Sequence, residues 1–248
     1  MTEVFQIIDG TKEFHGVKAI TNVNFSLFKG EIHSLLGENG AGKSTMTKVA
    51  AGVYQLSSGS FVFEGKETTF LNPSEALKNG VVMVFQENSL VPNMTVSQNI
   101  YLGAENFFNS LAKLNIKASR FLQSLNFNVD PNLLVSQLGA AQKQMVEIAR
   151  AVHHNAKVII FDEPTATLTP EEKHHFFGLM QRLKKEGVSI VFISHALEEA
   201  LEHSDRITVL RDGELIETDK AKNFNRERIV KAMIGRDLTD SAYASKKT

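Results

Sequence analysis

Gly37-Glu38-Asn39-Gly40-Ala41-Gly42-Lys43-Ser44-Thr45 is the stretch whose reading decides the fold of this chain. It fits the P-loop pattern G-x-x-x-x-G-K-S/T, and its flanks supply the context that pattern needs. The apolar run Ile32 to Leu36 ahead of it predicts a strand; Ser44 to Ala51 behind it predicts a helix ended by Gly52. A glycine-rich turn between strand and helix can wrap its backbone N–H groups around phosphate oxygens, and the positive end of the helix dipole points to the same place. Lys43 is then expected at the β- and γ-phosphates of a nucleoside triphosphate, and the Ser44 hydroxyl on Mg²⁺. A surface glycine turn is the plain competitor, but it needs neither the strand, the lysine nor the helix.

Outward from the loop, residues 4–8 and 19–28 are strand-like, the second alternating apolar and polar. Between them Thr11 to Gly16 reads as a turn carrying an exposed-looking aromatic, Phe14. Past Gly52, Phe61-Val62-Phe63 and the turn Glu64-Gly65-Lys66 predict a hairpin, so a small antiparallel sheet is expected beside the loop. Asn72-Pro73-Ser74 begins a short helix, and a buried-type strand from Val81 to Phe85 ends at Gln86. From Glu87 to about Asn155 the pattern turns helical, with Met145, Ile148, Ala149 and Val152 on one face. Val158 to Phe161 is a continuous apolar run, as in a parallel strand covered on both faces. Thr169-Pro170-Glu171-Glu172 is a capping box opening a helix that stops at Gly187, and Val188 to Ile193 is a strand ending at Ser194-His195. A short helix, the strand 207–210, the turn Arg211-Asp212-Gly213, a return strand and a helix from Arg226 to Ile234 follow. The expected fold is α/β: a P-loop NTPase core with a mostly parallel sheet, an N-terminal antiparallel β subdomain and an inserted α-helical subdomain at about 87–155. One domain, 1–238, is expected to precede a loose polar tail at 239–248.

Composition narrows the function classes. The 248 residues carry 42% hydrophobic and 22% charged residues, the profile of an ordinary globular domain. A net charge of −1 gives no basic footprint for nucleic acid or anionic lipid. The absence of cysteine excludes disulfides and thiolate metal sites and suits a reducing compartment. No apolar stretch reaches the roughly 18 residues of a membrane span, and no secretory signal opens the chain. Any membrane role is therefore expected through a partner.

Asp162 and Glu163 follow directly on the apolar run 158–161. A P-loop site needs an acid at the carboxyl end of a neighbouring strand to hold Mg²⁺, which suits Asp162, while Glu163 stands where a carboxylate could deprotonate the attacking water. Gln86 and His195 each end an expected core strand, where ligands of α/β sheets gather. Gln86 could touch Mg²⁺ or the water, and His195 the γ-phosphate. A solvated acid pair and two satisfied polar groups at strand ends are the plain alternatives.

In their order, the P-loop, Gln86, Ser136-Gln137-Leu138-Gly139-Ala140-Ala141-Gln142, Ile160-Phe161-Asp162-Glu163-Pro164-Thr165 and Ser194-His195 resemble the nucleotide-binding subunit of ABC transporters over nearly the whole chain. The resemblance implies ATP as ligand with Mg²⁺, and two such domains meeting head to tail. Each ATP would lie between one domain's loop, Gly37 to Thr45, and the other's signature stretch, represented here by Gly139 and Gln142. It also implies that Gln86 faces membrane permease subunits, that His195 is the switch histidine, and that a periplasmic or extracellular solute-binding protein takes part indirectly. Phe14 matches the adenine-stacking aromatic, where a ring is worth about 1–3 kcal/mol. The implied location is the cytoplasmic face of the membrane, peripheral, with the isolated domain soluble. Gln86 to Gly103, Gln142 to Ala149 and Ile234-Gly235-Arg236-Asp237-Leu238 look more narrowly like monosaccharide importers of the ribose, galactose and xylose type. In that subfamily two nucleotide-binding halves are fused; this chain is similar to the N-terminal half, and both an excised fragment and a single-domain relative fit.

Two departures stand out. The usual signature Leu-Ser-Gly-Gly-Gln reads Leu138-Gly139-Ala140-Ala141-Gln142, so the serine that would bond the partner's γ-phosphate is missing. Gly139 keeps a backbone N–H, whereas Ala140 and Ala141 are expected to resist a positive φ and the closest phosphate approach. A lost charge-assisted hydrogen bond is worth about 1.5–3 kcal/mol, so the partner's site should be weakened. The loop after Asp162-Glu163 reads Ala166-Thr167-Leu168-Thr169, without the usual interface aspartate. The expected function is an ATP-hydrolysing subunit of a bacterial sugar importer. Its competitors are a nucleoside or other small-solute importer subunit, a catalytically weak regulatory half, and a soluble ABC-type ATPase acting on ribosomes or DNA. The short stretch between Gln86 and Leu138 and the absent basic footprint weigh against the last.

Overall fold

The computed structural model describes residues 2–85, 89–103, 110–154 and 156–235. The chain opens with the hairpin β1 (Glu3–Phe14) and β2 (Val17–Phe28), followed by β3 (Ile32–Leu36) and α1 (Lys43–Ala50). β4 (Ser58–Phe63) and β5 (Lys66–Thr68) are joined by Glu64 and Gly65, both at positive φ (48° and 77°), the backbone a two-residue hairpin turn requires. These strands form an antiparallel sheet in the order β2-β1-β4-β5. β1 runs on to Phe14, beyond the expected end at Ile8, because β2 pairs along its whole length and Thr11 is matched to Ser58 of β4.

Next come α2 (Pro73–Lys78), whose Asn72 cap accepts the Glu75 N–H, and β6 (Val81–Val84). α3 (Val96–Tyr101), α4 (Leu111–Ser124) and α5 (Ala140–His153) lie between β6 and β7 (Val158–Asp162). α6 (Pro170–Lys185), β8 (Ser189–Ile193), α7 (Leu197–His203), β9 (Arg206–Arg211), β10 (Glu214–Lys220) and α8 (Arg226–Ile234) complete the described chain. The second sheet has the order β10-β9-β3-β8-β7-β6, parallel throughout except for β10.

Every residue of β3, β7 and β8 is buried, since both faces of this sheet are covered. On one face Phe5, Phe25, Leu27 and Phe61 of the antiparallel sheet and Met46 of α1 pack on Leu35, Ile160 and Val191. On the other, Ile100, Leu122 and Ile148 of α3 to α5 share one core with Phe176 and Met180 of α6 and with Ile159, Phe161 and Phe192. The alternation of Ile159 and Phe161 against Val158 and Ile160 sends neighbouring side chains to opposite faces. The helices after β6 are thus continuous with the sheet's core. Among the described residues no helix is long and apolar enough to cross a membrane. Gln86 and the expected tail at 239–248 lie outside the described residues.

Candidate functional site

The loop from Gly37 to Gly42 joins β3 to α1, and its shape is set by what lies behind it. Gly42 caps α1 at φ 98°, and a Cβ there would fall 2.7 Å from Ile20 Cγ2 and 2.8 Å from the Ala19 carbonyl of β2. The β9–β10 turn wedges in beside it: the Gly213 N–H donates to Ala41 O (3.3 Å), and Gly213 O accepts the Thr21 N–H (2.8 Å). Gly40 also takes a positive φ, 85°, which keeps the loop open around a concavity. The first turn of α1 carries no side-chain cap and no acid, and its residues Lys43 to Thr45 line the recess at the positive end of the helix.

That recess, about 510 Å³, is lined by the loop residues Asn39 to Thr45 with Ala19, Glu163 and His195. Lys43 is almost fully buried, and its Nζ donates to Gly37 O (2.7 Å) and Glu38 O (3.0 Å). Burial pulls its pKa down, against the charges of Glu163 and Asp162, which pull it up. Asp162 ends β7 and is buried; burial raises its pKa and the Glu163 charge adds to this, while the Ser44 hydroxyl hydrogen bond and the charges of Lys48 and Lys43 oppose it. Its Oδ1 is buried with no hydrogen-bond partner. A buried orphan carboxylate oxygen beside a serine hydroxyl is an all-oxygen donor set, which fits a hard cation such as Mg²⁺.

Glu163 adopts φ +53°, unusual for a side-chain-bearing residue, while its N–H still donates to Ile193 O (3.1 Å) of β8. Asp162 pairs with Ile193 in the parallel ladder, so Glu163 and His195 leave the carboxyl ends of adjacent strands. His195 Nε2 lies 2.6 Å from Glu163 Oε1. The structure therefore brings Lys43, Ser44, Asp162, Glu163 and His195 to one place.

Other expected residues stand elsewhere. Phe14 lines no part of the recess; instead of an exposed ring it is half-buried, edge-on to Tyr54 at 4.9 Å, with Lys12 Nζ 5.0 Å from its centroid. It does lie on the same hairpin as Ala19, which lines the recess. Gly139 and Gln142 sit at the start of α5, away from the recess, and the Gly139 N–H donates to Gln142 Oε1 at 3.3 Å. The expected conflict between alanine and a positive φ is corrected here: Ala140 and Ala141 are the first two residues of α5, neither has a positive φ, and Gly139 itself has φ −69°. Sequence reasoning missed Glu199, which reads as a solvated acid on a short helix; only its place four residues after His195 could have drawn notice. Its carboxylate accepts from Thr165, Ser194 and Lys173. A larger recess, about 730 Å³, lies at the amino ends of β7 and β8, but it has no phosphate-binding turn and its Lys157 is paired with Glu64.

Residues 20–166 match the ABC transporter family. The chain is 44% identical over 243 residues to the xylose import ATP-binding protein of Thermoanaerobacter pseudethanolicus, covering 96% of this chain and 48% of that protein. It is 45% identical over 233 residues to a galactose/methyl galactoside import ATP-binding protein of Clostridium perfringens, covering 93% of this chain and 45% of that one. The chain thus spans about half the length of these relatives. Among solved structures, a dimeric ATP-binding cassette in a post-hydrolysis state bound to ADP and Pi superposes with a TM-score of 0.79 at 27% identity, over 89% of this chain and all of that one.

Proposed function

The chain belongs to the ABC transporter family, and from that membership we propose that it is the ATP-hydrolysing subunit, or the N-terminal half of one, of a bacterial importer for a monosaccharide. The observation that carries the reading is the convergence of Lys43, Ser44, Glu163 and His195 on one recess at the carboxyl ends of neighbouring strands, with Asp162 buried beside the Ser44 hydroxyl. The sugar class rests on the names of relatives that import xylose and galactose.

The loop amides from Gly37 to Thr45 cradle the phosphates of ATP, and Lys43 Nζ exchanges its two carbonyl partners for β- and γ-phosphate oxygens. Ser44 and Asp162, with Gln86, would hold Mg²⁺. When bound, that ion neutralises charge on the phosphates. Glu163 takes the proton of the attacking water, and His195 holds Glu163 and donates to the γ-phosphate. Water adds to the γ-phosphorus in line with the departing ADP oxygen, giving ADP and phosphate. Phe14 offers the adenine a ring at the edge of the hairpin that also carries Ala19.

Closure needs a second nucleotide-binding domain, head to tail, to cover the site with its signature. This chain's own signature is a poor cover for the partner's ATP. The serine is absent, and the one glycine N–H is occupied by Gln142. That observation favours a second reading in which the two ATP sites are unequal and this half regulates. Coupling would run from Gln86 through α3 to α5 to membrane permease subunits, with the chain peripheral on the cytoplasmic face and the solute-binding protein acting across the membrane. The test is reconstitution in vesicles with a permease: ATP hydrolysis should rise when sugar-loaded binding protein is added, and a rate indifferent to every monosaccharide tried would set the sugar-importer reading aside.

A further inference from the structure

We infer that Glu199 is a positioning residue that ties the loop carrying Glu163 to the loop carrying His195, an inference that rests on the roles proposed above for those two groups. Glu199 Oε2 accepts from Thr165 Oγ1 at 2.8 Å and from Ser194 Oγ at 2.9 Å, and Oε1 accepts from Lys173 Nζ at 2.8 Å. Thr165 is two residues beyond Glu163, Ser194 is the residue before His195, and Lys173 stands on α6. A single oxygen is therefore shared by hydroxyls from the two loops whose ends meet in the His195–Glu163 contact. The Ser194 hydroxyl is held from its other side as well, because Oγ accepts the Ala196 N–H at 3.0 Å. Its rotor is thus committed towards Glu199.

The plainer account is a Lys–Glu pair that adds only stability. Exposed pairs of that kind contribute little and need no further partners. Glu199 differs: its side chain is 11% exposed, and its charge is taken out of water at a cost that three donors from three elements offset. The neighbouring Glu198 makes the contrast, since it stands in solvent at 68% exposure and, among the described residues, its carboxylate pairs with Arg226 alone. Hydroxyl groups have short reach, so an acceptor shared by two of them fixes the separation of their backbones. Without it, Thr165 and Ser194 lose this shared acceptor, and the backbone bond from the Glu163 N–H to Ile193 O is left to hold the loop starts while the side-chain geometry of Glu163 and His195 loosens. Displacements of about 1 Å from reacting geometry can cost roughly a hundredfold in rate.

The test uses Glu199→Ala, Glu199→Gln and Thr165→Val, assayed with a second domain that carries an intact signature. For Glu199→Ala we expect kcat to fall about tenfold to a hundredfold while KM and the affinity for a non-cleavable ATP analogue stay within about twofold. Glu199→Gln keeps an acceptor oxygen and should recover most of that loss. Thr165→Val should slow the parent but add nothing in the Glu199→Ala background. An unchanged kcat in a folded Glu199→Ala, or kcat and analogue affinity falling together with melting temperature, overturns the inference. A second readout needs no turnover: in imidazole NMR of the chain, Glu163→Gln should shift the His195 ring resonances strongly in the parent and weakly beside Glu199→Ala. Equal responses overturn the tie. Failure of the parent to bind the analogue would instead count against the proposed function and leave this readout to decide the tie.

Discussion

His195 Nε2 and Glu163 Oε1 face each other at 2.6 Å across the ends of β8 and β7. Neither side chain is buried outright, at 44% and 18% exposure, so both can reach a ligand in the recess. A carboxylate held this way can accept a proton from water, which an amide cannot. Glu163→Gln is expected to keep analogue affinity within about twofold and to lower turnover about 10²–10⁴-fold. Phosphate release and equilibrium binding, measured on the same preparation, check the pair of outcomes.

If Asp162 holds the cation proposed above, it does so at a cost in stability. Its Oδ1 is buried without a hydrogen-bond partner, and burial holds its pKa above the ordinary 3.8. For an acid whose folded pKa is raised, the folded state keeps its proton longer than the unfolded chain, so stability falls as pH climbs from the unfolded value through the folded one. Asp162→Asn is expected to raise stability by about 1 kcal/mol in chelator at neutral pH and to remove the added stabilisation from Mg²⁺ with nucleotide. Urea melts with and without Mg²⁺ would show both; a variant less stable in chelator contradicts the assignment.

His33 makes acid sensitivity a property of the core. It is fully buried on β3, with Nε2 2.7 Å from Thr208 Oγ1 and Nδ1 3.2 Å from Glu31 Oε1. Burial lowers its pKa below 6.5, Glu31 resists that shift, and the Arg206 charge adds to it. A base with a depressed folded pKa contributes stability that is complete above pH 6.5 and drains away as pH falls towards the folded value. The urea midpoint should drop between about pH 7.5 and 5.5, and His33→Gln should flatten that slope in part. The slope should not vanish, because burial also lowers His153, His154 and His203.

Turnover should depend on a partner. With no signature serine of its own, a second copy of this chain is a poor cover for its recess. Phosphate release by the chain alone is expected to be slow and to rise at least about tenfold with a domain carrying Leu-Ser-Gly-Gly-Gln. Equal rates with and without that domain would remove the need for a cover in trans.

How much of this was legible depended on range. Ile32–Leu36, Val158–Phe161 and Val188–Ile193 could be read because strands covered on both faces spell uninterrupted apolar runs. The Thr169–Glu172 box is local chemistry, and both of its hydrogen bonds are present. The places of Lys43, Asp162, Glu163 and His195 in the fold were readable because each lies within two residues of the end of such a run or in the loop itself. Long-range pairing was not readable: nothing near His33 announces Thr208, 175 residues away. Nor does Leu197-Glu198-Glu199 say which acid is buried; the fold decides that by setting Thr165 and Lys173 against one and open solvent against the other.

The central claim is that the phosphate tail of ATP rests on the loop between Gly37 and Thr45 and on the Lys43 ammonium. Isothermal calorimetry of the chain with Mg²⁺ and a non-cleavable ATP analogue tests it directly. The account predicts saturable heat at one site for the parent and none for Lys43→Ala at the same concentrations. An equal isotherm for a folded Lys43→Ala, or no heat from the parent, would contradict it.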